Sequence, residues 1–357
     1  MPVEVQVKRI LGIRELGERI SGFPRVKLAE LPTPLQELPR LSKAFDGPRI
    51  FMKRDDLTGL AFGGNKTRMF EFLLADALRM GADTIVGGAG VQSNYSRQLV
   101  AACNVLGLQV HLVLREMVEG EGRDIQGNLL LDLLAGATVH LIKATADQQR
   151  KAIYDLAEEL QKKGRKTYVV RMANNQDLSF DVISYTNCFS EIMQQCKKLK
   201  IKPSHLYLSS YDSTQAGLEL GKIALGSDLK IQGIAPEQRS ERAVDLIAKY
   251  VNQTARRIGL SCSVRSEDIQ NSGEYIGDGY GIPSSQGIEM IKIVARTEGI
   301  FLDPIYSGKA MACLFDHIQR GLLGKSDVVI FLHTGGTPAL FAYKANLVTE
   351  DLRRQIM

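Results

Sequence analysis

Gly63-Gly64-Asn65-Lys66-Thr67-Arg68, followed at the end of the next apolar run by Gln92-Ser93-Asn94, is the stretch on which the reading of this 357-residue chain turns. Glycine pairs allow close backbone approach and backbone conformations that side chains disfavour. Here the pair stands at the mouth of a helical pattern, Thr67 to Met80, which follows the strand-like run Arg49-Ile50-Phe51-Met52-Lys53. A lysine at such a turn is where an α/β enzyme would hold an aldehyde cofactor as a Schiff base. Pyridoxal phosphate is therefore the first cofactor to test, although Lys66 alone also reads as a solvated helix-start residue.

Outward from this point the pattern alternates. Towards the N-terminus, Val3 to Ser21 carries a weak amphipathic pattern, and Leu35 to Phe45 reads as a helix after Leu31-Pro32-Thr33-Pro34. Towards the C-terminus, strands are expected at 84–87, 109–114, 138–142 and 167–171, with helices at 93–106, 127–135 and 146–163 between them. The second half continues with helices at 184–197, 214–225, 241–258, 286–297 and 309–320 and strands at 205–209, 230–234 and 328–332. This βα alternation implies an α/β protein with two units, each a mostly parallel sheet covered by helices. No repeat or low-complexity linker marks a border. Lys66, Ser93-Asn94, Ser213-Thr214 and Thr334 all fall where a strand pattern gives way to a helix or loop, the sheet edge at which ligands bind.

Composition narrows the classes. Forty-four per cent hydrophobic residues can fill sizeable cores, and 45 Lys+Arg against 40 Asp+Glu give only +5, spread along the chain. Basic runs such as Lys162-Lys163-Gly164-Arg165-Lys166 sit near helix ends and read as solvated surface, so no nucleic acid is expected. The five cysteines and five histidines show no metal-ligand spacing, which argues against a zinc site or a disulfide framework. No membrane-spanning run or signal peptide is read, and a cytoplasmic location is the expectation.

Six segments resemble one known family: 63–68, Gln92-Ser93-Asn94 with Arg97-Gln98, Ser213-Thr214-Gln215-Ala216-Gly217, Gly279-Tyr280-Gly281-Ile282-Pro283, 303–311 and His333-Thr334-Gly335-Gly336. Together they are similar to the family of 1-aminocyclopropane-1-carboxylate deaminase and D-cysteine desulfhydrase, from about Arg25 to Tyr343. The resemblance implies the tryptophan synthase β-like fold (fold type II), with pyridoxal phosphate in a cleft between two α/β domains. It implies a large cofactor-binding domain of 1–58 plus 175–357, a small domain of 59–174, and a homodimer acting on a small amino acid.

Carried over by position, Lys66 would form the Schiff base and Asn94 would hydrogen-bond the ring hydroxyl. Ser93 would bind substrate carboxylate or transfer a proton, and Tyr306 would lie over the cofactor. Gln92 and Tyr280 join the substrate contacts, while Ser213, Thr214 and Thr334 join the cofactor contacts. On their residue types alone, Ser93 and Asn94 also suit a helix N-cap, and Tyr280, Tyr306 and Lys309 suit core or surface. Within the family, deaminases carry Glu where this chain has Ser307 and Leu where it has Thr334; the desulfhydrase type has Ser or Thr at both, and this chain sides with it. A neutral hydroxyl at the ring nitrogen makes the cofactor a weaker electron sink, favouring prompt loss of a β-leaving group. The expected outcome is release of sulfide, pyruvate and ammonia, with sulfite loss from cysteate, deamination of the cyclopropane amino acid or a non-catalytic relative as alternatives.

Three departures accompany the resemblance. Asp212 stands where the phosphate loop normally has glycine, and Met69 stands where deaminases have lysine. A carboxylate facing the phosphate from about 4 Å would cost roughly 4 kcal/mol per unit charge in a medium of intermediate dielectric. The reading preferred here is that Asp212 turns away and caps the helix, leaving the N–H groups of Ser213 and Thr214 to cradle the phosphate. The third departure, Asn174 to Asp181, replaces a Gly-Gly-Ser-type loop and bears on the substrate.

Overall fold

A computed structural model describes residues 9–117, 120–170, 177–237, 240–348 and 350–356. Among the described residues ten strands form two sheets, and their order in the chain is that of two interleaved α/β units. The first sheet has six strands: β1 (Leu35–Glu37), β2 (Arg49–Arg54), β7 (His205–Ser209), β8 (Lys230–Ile234), β9 (Gln270–Ser272) and β10 (Val328–His333), ordered β1-β2-β10-β7-β8-β9. Only β1 runs antiparallel to its neighbour; the other pairs are parallel. The second sheet is fully parallel, β5-β4-β3-β6, from β3 (Thr84–Gly90), β4 (Gln109–Arg115), β5 (Thr138–Ile142) and β6 (Thr167–Val169).

Alternation along each strand sends successive side chains to opposite faces, and both faces are buried. In the six-stranded sheet Ile50, Met52, Tyr207, Val329 and Phe331 pack with α2 (Pro39–Ala44), α10 (Ser285–Glu298) and α11 (Ser307–Gln319). Phe51, Leu206, Leu208, Ile330 and Leu332 face the other way, onto α7 (Ser179–Leu199) and α8 (Ser213–Leu225). In the four-stranded sheet Val86 and Val113 meet α6 (Ala146–Lys162). Ile85, Leu112 and Leu114 join a larger core with α3 (Lys66–Arg79), α4 (Asn94–Val105), α5 (Gly127–Leu134) and α9 (Ser240–Arg257). That core also takes Leu16 and Ile20 of α1 (Ile13–Ser21).

Several expectations need correction. Leu35 to Phe45 is not one helix, because Leu35, Gln36 and Glu37 pair with Lys53, Met52 and Phe51, and Pro39 then opens a helix of six residues. Proline suits that first helical position, where its missing N–H is no loss. The N-terminal helix starts only at Ile13, and residues 1–8 lie outside the described residues. Helix α7 begins at Ser179 rather than 184, with Asp177 accepting the Ser179 amide at 2.9 Å. The expected strand 167–171 ends at Val169, and Arg171 and Asn174 to Gln176 lie outside the described residues. Strand β9, three residues long, carries too little pattern to be read in advance.

Candidate active site

The chain entering α3 makes an unusual run of backbone: Ala61, Phe62, Gly63 and Gly64 have φ of 46°, 65°, 66° and 131°. Left-handed conformation is strained for Ala and Phe, so the surroundings must hold it. At Gly63 any Cβ would run into the Asp56 carbonyl, so only glycine fits. The Gly64 amide donates to the Asp55 carbonyl (3.0 Å), and the Thr58 hydroxyl donates to the Gly64 carbonyl (2.9 Å). The Asn65 amide donates to the Thr334 carbonyl (3.0 Å), and its side chain to the Thr214 hydroxyl (3.1 Å). Gly335 crosses so closely that a Cβ there would sit 2.7 Å from the Gly64 Cα. The lysine turn is thus tied to the ends of β10 and the start of α8. Lys66, first residue of α3, is half-buried and lines a cavity of about 620 Å³.

Ser93 and Asn94 open α4 on the same cavity. The Ser93 hydroxyl caps the helix, accepting the amides of Tyr95 (3.1 Å) and Ser96 (3.3 Å). Asn94 has its orientation set, since its Oδ1 accepts from the Asn128 amide at 2.9 Å. Gln92 does not line the cavity: its Oε1 accepts the Asn128 N–H (2.9 Å) and its Nε2 donates to the Gln126 carbonyl (3.1 Å). It braces the wall behind Asn94.

Tyr280 and Tyr306 line the same cavity, their hydroxyls hydrogen-bonded at 2.7 Å and their rings edge to face. Two loops hold this pair. Asp303 accepts the amides of Ile305 and Tyr306 on one oxygen and the amide and hydroxyl of Ser307 on the other. Buried Lys309 donates to the carbonyls of Ile276 (2.6 Å) and Gly279 (3.1 Å), and burial pushes its amine down to about 8. Ser307 is therefore a loop-building residue, 1% exposed, whereas Thr334 lines the cavity.

At the start of α8, Ser209, Ser210, Tyr211, Asp212 and Thr214 line the cavity; Ser213 does not. Asp212 is the N-cap, as expected, and its carboxylate accepts the Ser213 amide at 2.6 Å. That bond engages one of the two amides expected to cradle a phosphate. The amides of Gln215 and Ala216 go to Ser210 Oγ and the Asp212 carbonyl, so among the described residues Thr214 keeps the first-turn amide with no acceptor in the chain. Met69 is wholly buried beside Phe51, Tyr185 and Leu208. Position 69 faces this apolar core, which suits methionine.

The donor set fits pyridoxal phosphate: a lysine amine for the aldehyde, amide and hydroxyl groups at Asn94 and Thr334 for the ring, and a 13-residue helix N-terminus with Thr214 for the phosphate. Sequence reading missed Arg115, Arg150, Arg242 and Tyr250 on the cavity wall, and gave no role to Arg97. Nothing local marks the four wall residues, because they reach the site from three different elements, β4, α6 and α9.

Residues 26–335 match the family described as pyridoxal-phosphate dependent enzyme. The chain is 36% identical over 326 residues to the D-cysteine desulfhydrases of Salmonella paratyphi C and Salmonella typhi, covering 91% of this chain and 97% of each relative. A crystal structure of an ACC deaminase homologue superposes with a TM-score of 0.83 at 33% identity, covering 93% of this chain and 98% of that one. Apo diaminopropionate ammonia lyase of Escherichia coli shares the fold, with a TM-score of 0.64 at 14% identity over 93% of this chain and 89% of that one.

Proposed function

This chain belongs to the pyridoxal-phosphate dependent enzyme family, and from that premise we propose that it is a lyase removing the β-substituent of a small amino acid, with D-cysteine as substrate. The cofactor, when bound, supplies an electron sink for the carbon that loses its proton. Lys66 would hold its aldehyde and carry the α-proton, Asn94 and Thr334 would orient the ring, and Thr214 with the α8 N-terminus would take the phosphate. Ser93 offers its hydroxyl to the substrate carboxylate. The Tyr280–Tyr306 hydroxyl pair can pass a proton to the departing sulfur. In balance, D-cysteine and water become pyruvate, ammonia and hydrogen sulfide.

The observation that carries this reading is that the Lys66 amine, the Ser93-Asn94 helix start and the paired tyrosine hydroxyls line one cavity. The names of the relatives at 36% identity support the choice of D-cysteine. The purified protein is expected to show a visible absorption band that borohydride fixes onto Lys66, and to release pyruvate and sulfide from D-cysteine. Lys66→Ala should lose both. Sulfite from cysteate or 2-oxobutyrate from the cyclopropane amino acid, without sulfide, would reassign the substrate; no band with excess cofactor would reject the lyase.

One observation favours a second reading, a family member with weakened cofactor binding: Asp212 lines the cavity at the helix start proposed for the phosphate, and its carboxylate occupies the Ser213 amide. Titration of cofactor into Asp212→Gly separates the two. A change of less than about threefold in affinity fits the lyase, and a gain of a hundredfold or more, about 2.7 kcal/mol, fits the weakened site.

A further inference from the structure

Arg97 lies on α4 one turn beyond Ser93, 2% exposed, and its guanidinium reaches out of its own helix in two directions. One arm enters the strained run before Lys66: Nη1 donates to the carbonyls of Ala61 and Gly63, and Nη2 also donates to the Gly63 carbonyl at 3.2 Å. The other arm, Nε, donates to Asn128 Oδ1 at 2.8 Å, and the Asn128 amide donates in turn to Asn94 Oδ1 at 2.9 Å. The planar fork of a guanidinium can serve both arms at once, which an ammonium on a flexible stem cannot. The neighbouring Gln98 repeats the arrangement on a smaller scale, its Oε1 accepting the Thr67 amide at 3.0 Å and its Nε2 donating to the Asn94 carbonyl at 2.9 Å.

We propose that Arg97 is a positioning residue that holds the left-handed segment 61–64 in its strained form and, through Asn128, sets the Asn94 side chain, so that Lys66 and Asn94 keep a constant relation to one another. Three independent observations support this role: the consecutive left-handed residues Ala61 and Phe62, the convergence of two of that segment's carbonyls on one buried guanidinium, and the relay to Asn94. Strained backbone persists only where surrounding contacts over-determine it. Here the contact that does so is also linked, through Asn128, to Asn94 in the candidate cofactor site. The role assigned to Lys66 and Asn94 rests on the lyase reading above; the hold on 61–64 does not.

The test uses Arg97→Lys, which keeps the charge and loses the fork, and Asn128→Ala, which leaves the arm to 61–64 and removes the arm to Asn94. In Arg97→Lys, amide hydrogen exchange across 61–66 should speed up about tenfold, as local opening becomes easier. Its visible band should change the pH at which it titrates, and kcat should fall up to a hundredfold with a smaller change in KM, the signature of a misplaced reacting group. Asn128→Ala should leave exchange across 61–66 as in the parent and alter the band and kcat alone. A merely structural role would lower Tm and leave band, titration and kcat of the folded protein unchanged, and that result overturns the proposal. Parent-like exchange in Arg97→Lys also overturns it, as does parent-like band and kcat in Asn128→Ala for the relay. Should the parent protein form no band, the lyase reading fails by itself, while the exchange measurement still decides the hold on 61–64.

Discussion

Two buried arginines flank the lysine turn, and they are held in opposite ways. Arg68, on α3, is matched by carboxylates: its Nε and Nη2 donate to Asp55 at 2.9 Å each, and Nη1 and Nη2 to Glu191 at 2.9 Å each. Lys53, Thr33 and the Tyr185 hydroxyl complete this cluster. Burial would raise the Asp55 carboxyl, but Arg68 together with Lys53 and the Tyr185 hydroxyl outweighs it and the group lies below its ordinary range. Arg68 is held well above its own ordinary value despite burial, chiefly by Asp55. Arg97, by contrast, donates to backbone carbonyls and an asparagine, and burial pushes it down to about 10 with Asp132 opposing. Asp132 is fully buried, and neither of its oxygens has a hydrogen-bond partner among the described residues. Burial pushes its carboxyl up to about 8, only partly offset by Arg97. A charge-matched arginine clamps elements together. One that meets carbonyls instead selects a backbone conformation.

The contrast can be broken by substitution. Arg68→Met should have the largest effect, about 3–5 kcal/mol lost in urea unfolding, because Asp55 and Glu191 remain buried without their counter-charge. Arg97→Met should cost about 1–3 kcal/mol, since it leaves neutral carbonyls rather than carboxylates unpaired. If the two losses prove equal, the distinction drawn between them fails. Asp132→Asn is the mildest and sharpens the comparison through pH. A carboxyl at about 8 in the fold and 3.8 outside it binds more protons folded than unfolded. Stability contributed by the protonated form is therefore complete below 3.8 and is lost as pH rises towards about 8. The asparagine variant should match the parent near pH 4 and pull steadily ahead of it as pH rises towards neutral. A parent-like pH profile of unfolding would place the Asp132 carboxyl in its ordinary range.

Strand and helix alternation was legible because both periods are local and strong; β3, β4, β5, β7, β8 and β10 fall where the pattern put them, within a few residues. Short elements such as β1 and β9 were not, since three residues carry no period and exist through pairing with β2 and β8. At the site, Lys66, Ser93, Asn94, Thr214 and Thr334 were legible as strand-to-helix punctuation and Tyr280 and Tyr306 only through the family resemblance, and all seven line one cavity. Gln92 and Ser213, named with them, stand behind its wall, because the residue next to a lining position turns its side chain into the supporting hydrogen bonds.

From the order of its residues alone this chain announced an α/β architecture, a lysine on a glycine turn and the helix starts that face it, since each depends on neighbours a few positions away. Packing settled the rest. Which carbonyls meet Arg97 and which two tyrosine hydroxyls touch depend on segments brought together from distant parts of the chain. Hydrogen bonds are specific to a few tenths of an ångström, and no local pattern of residue types carries that information.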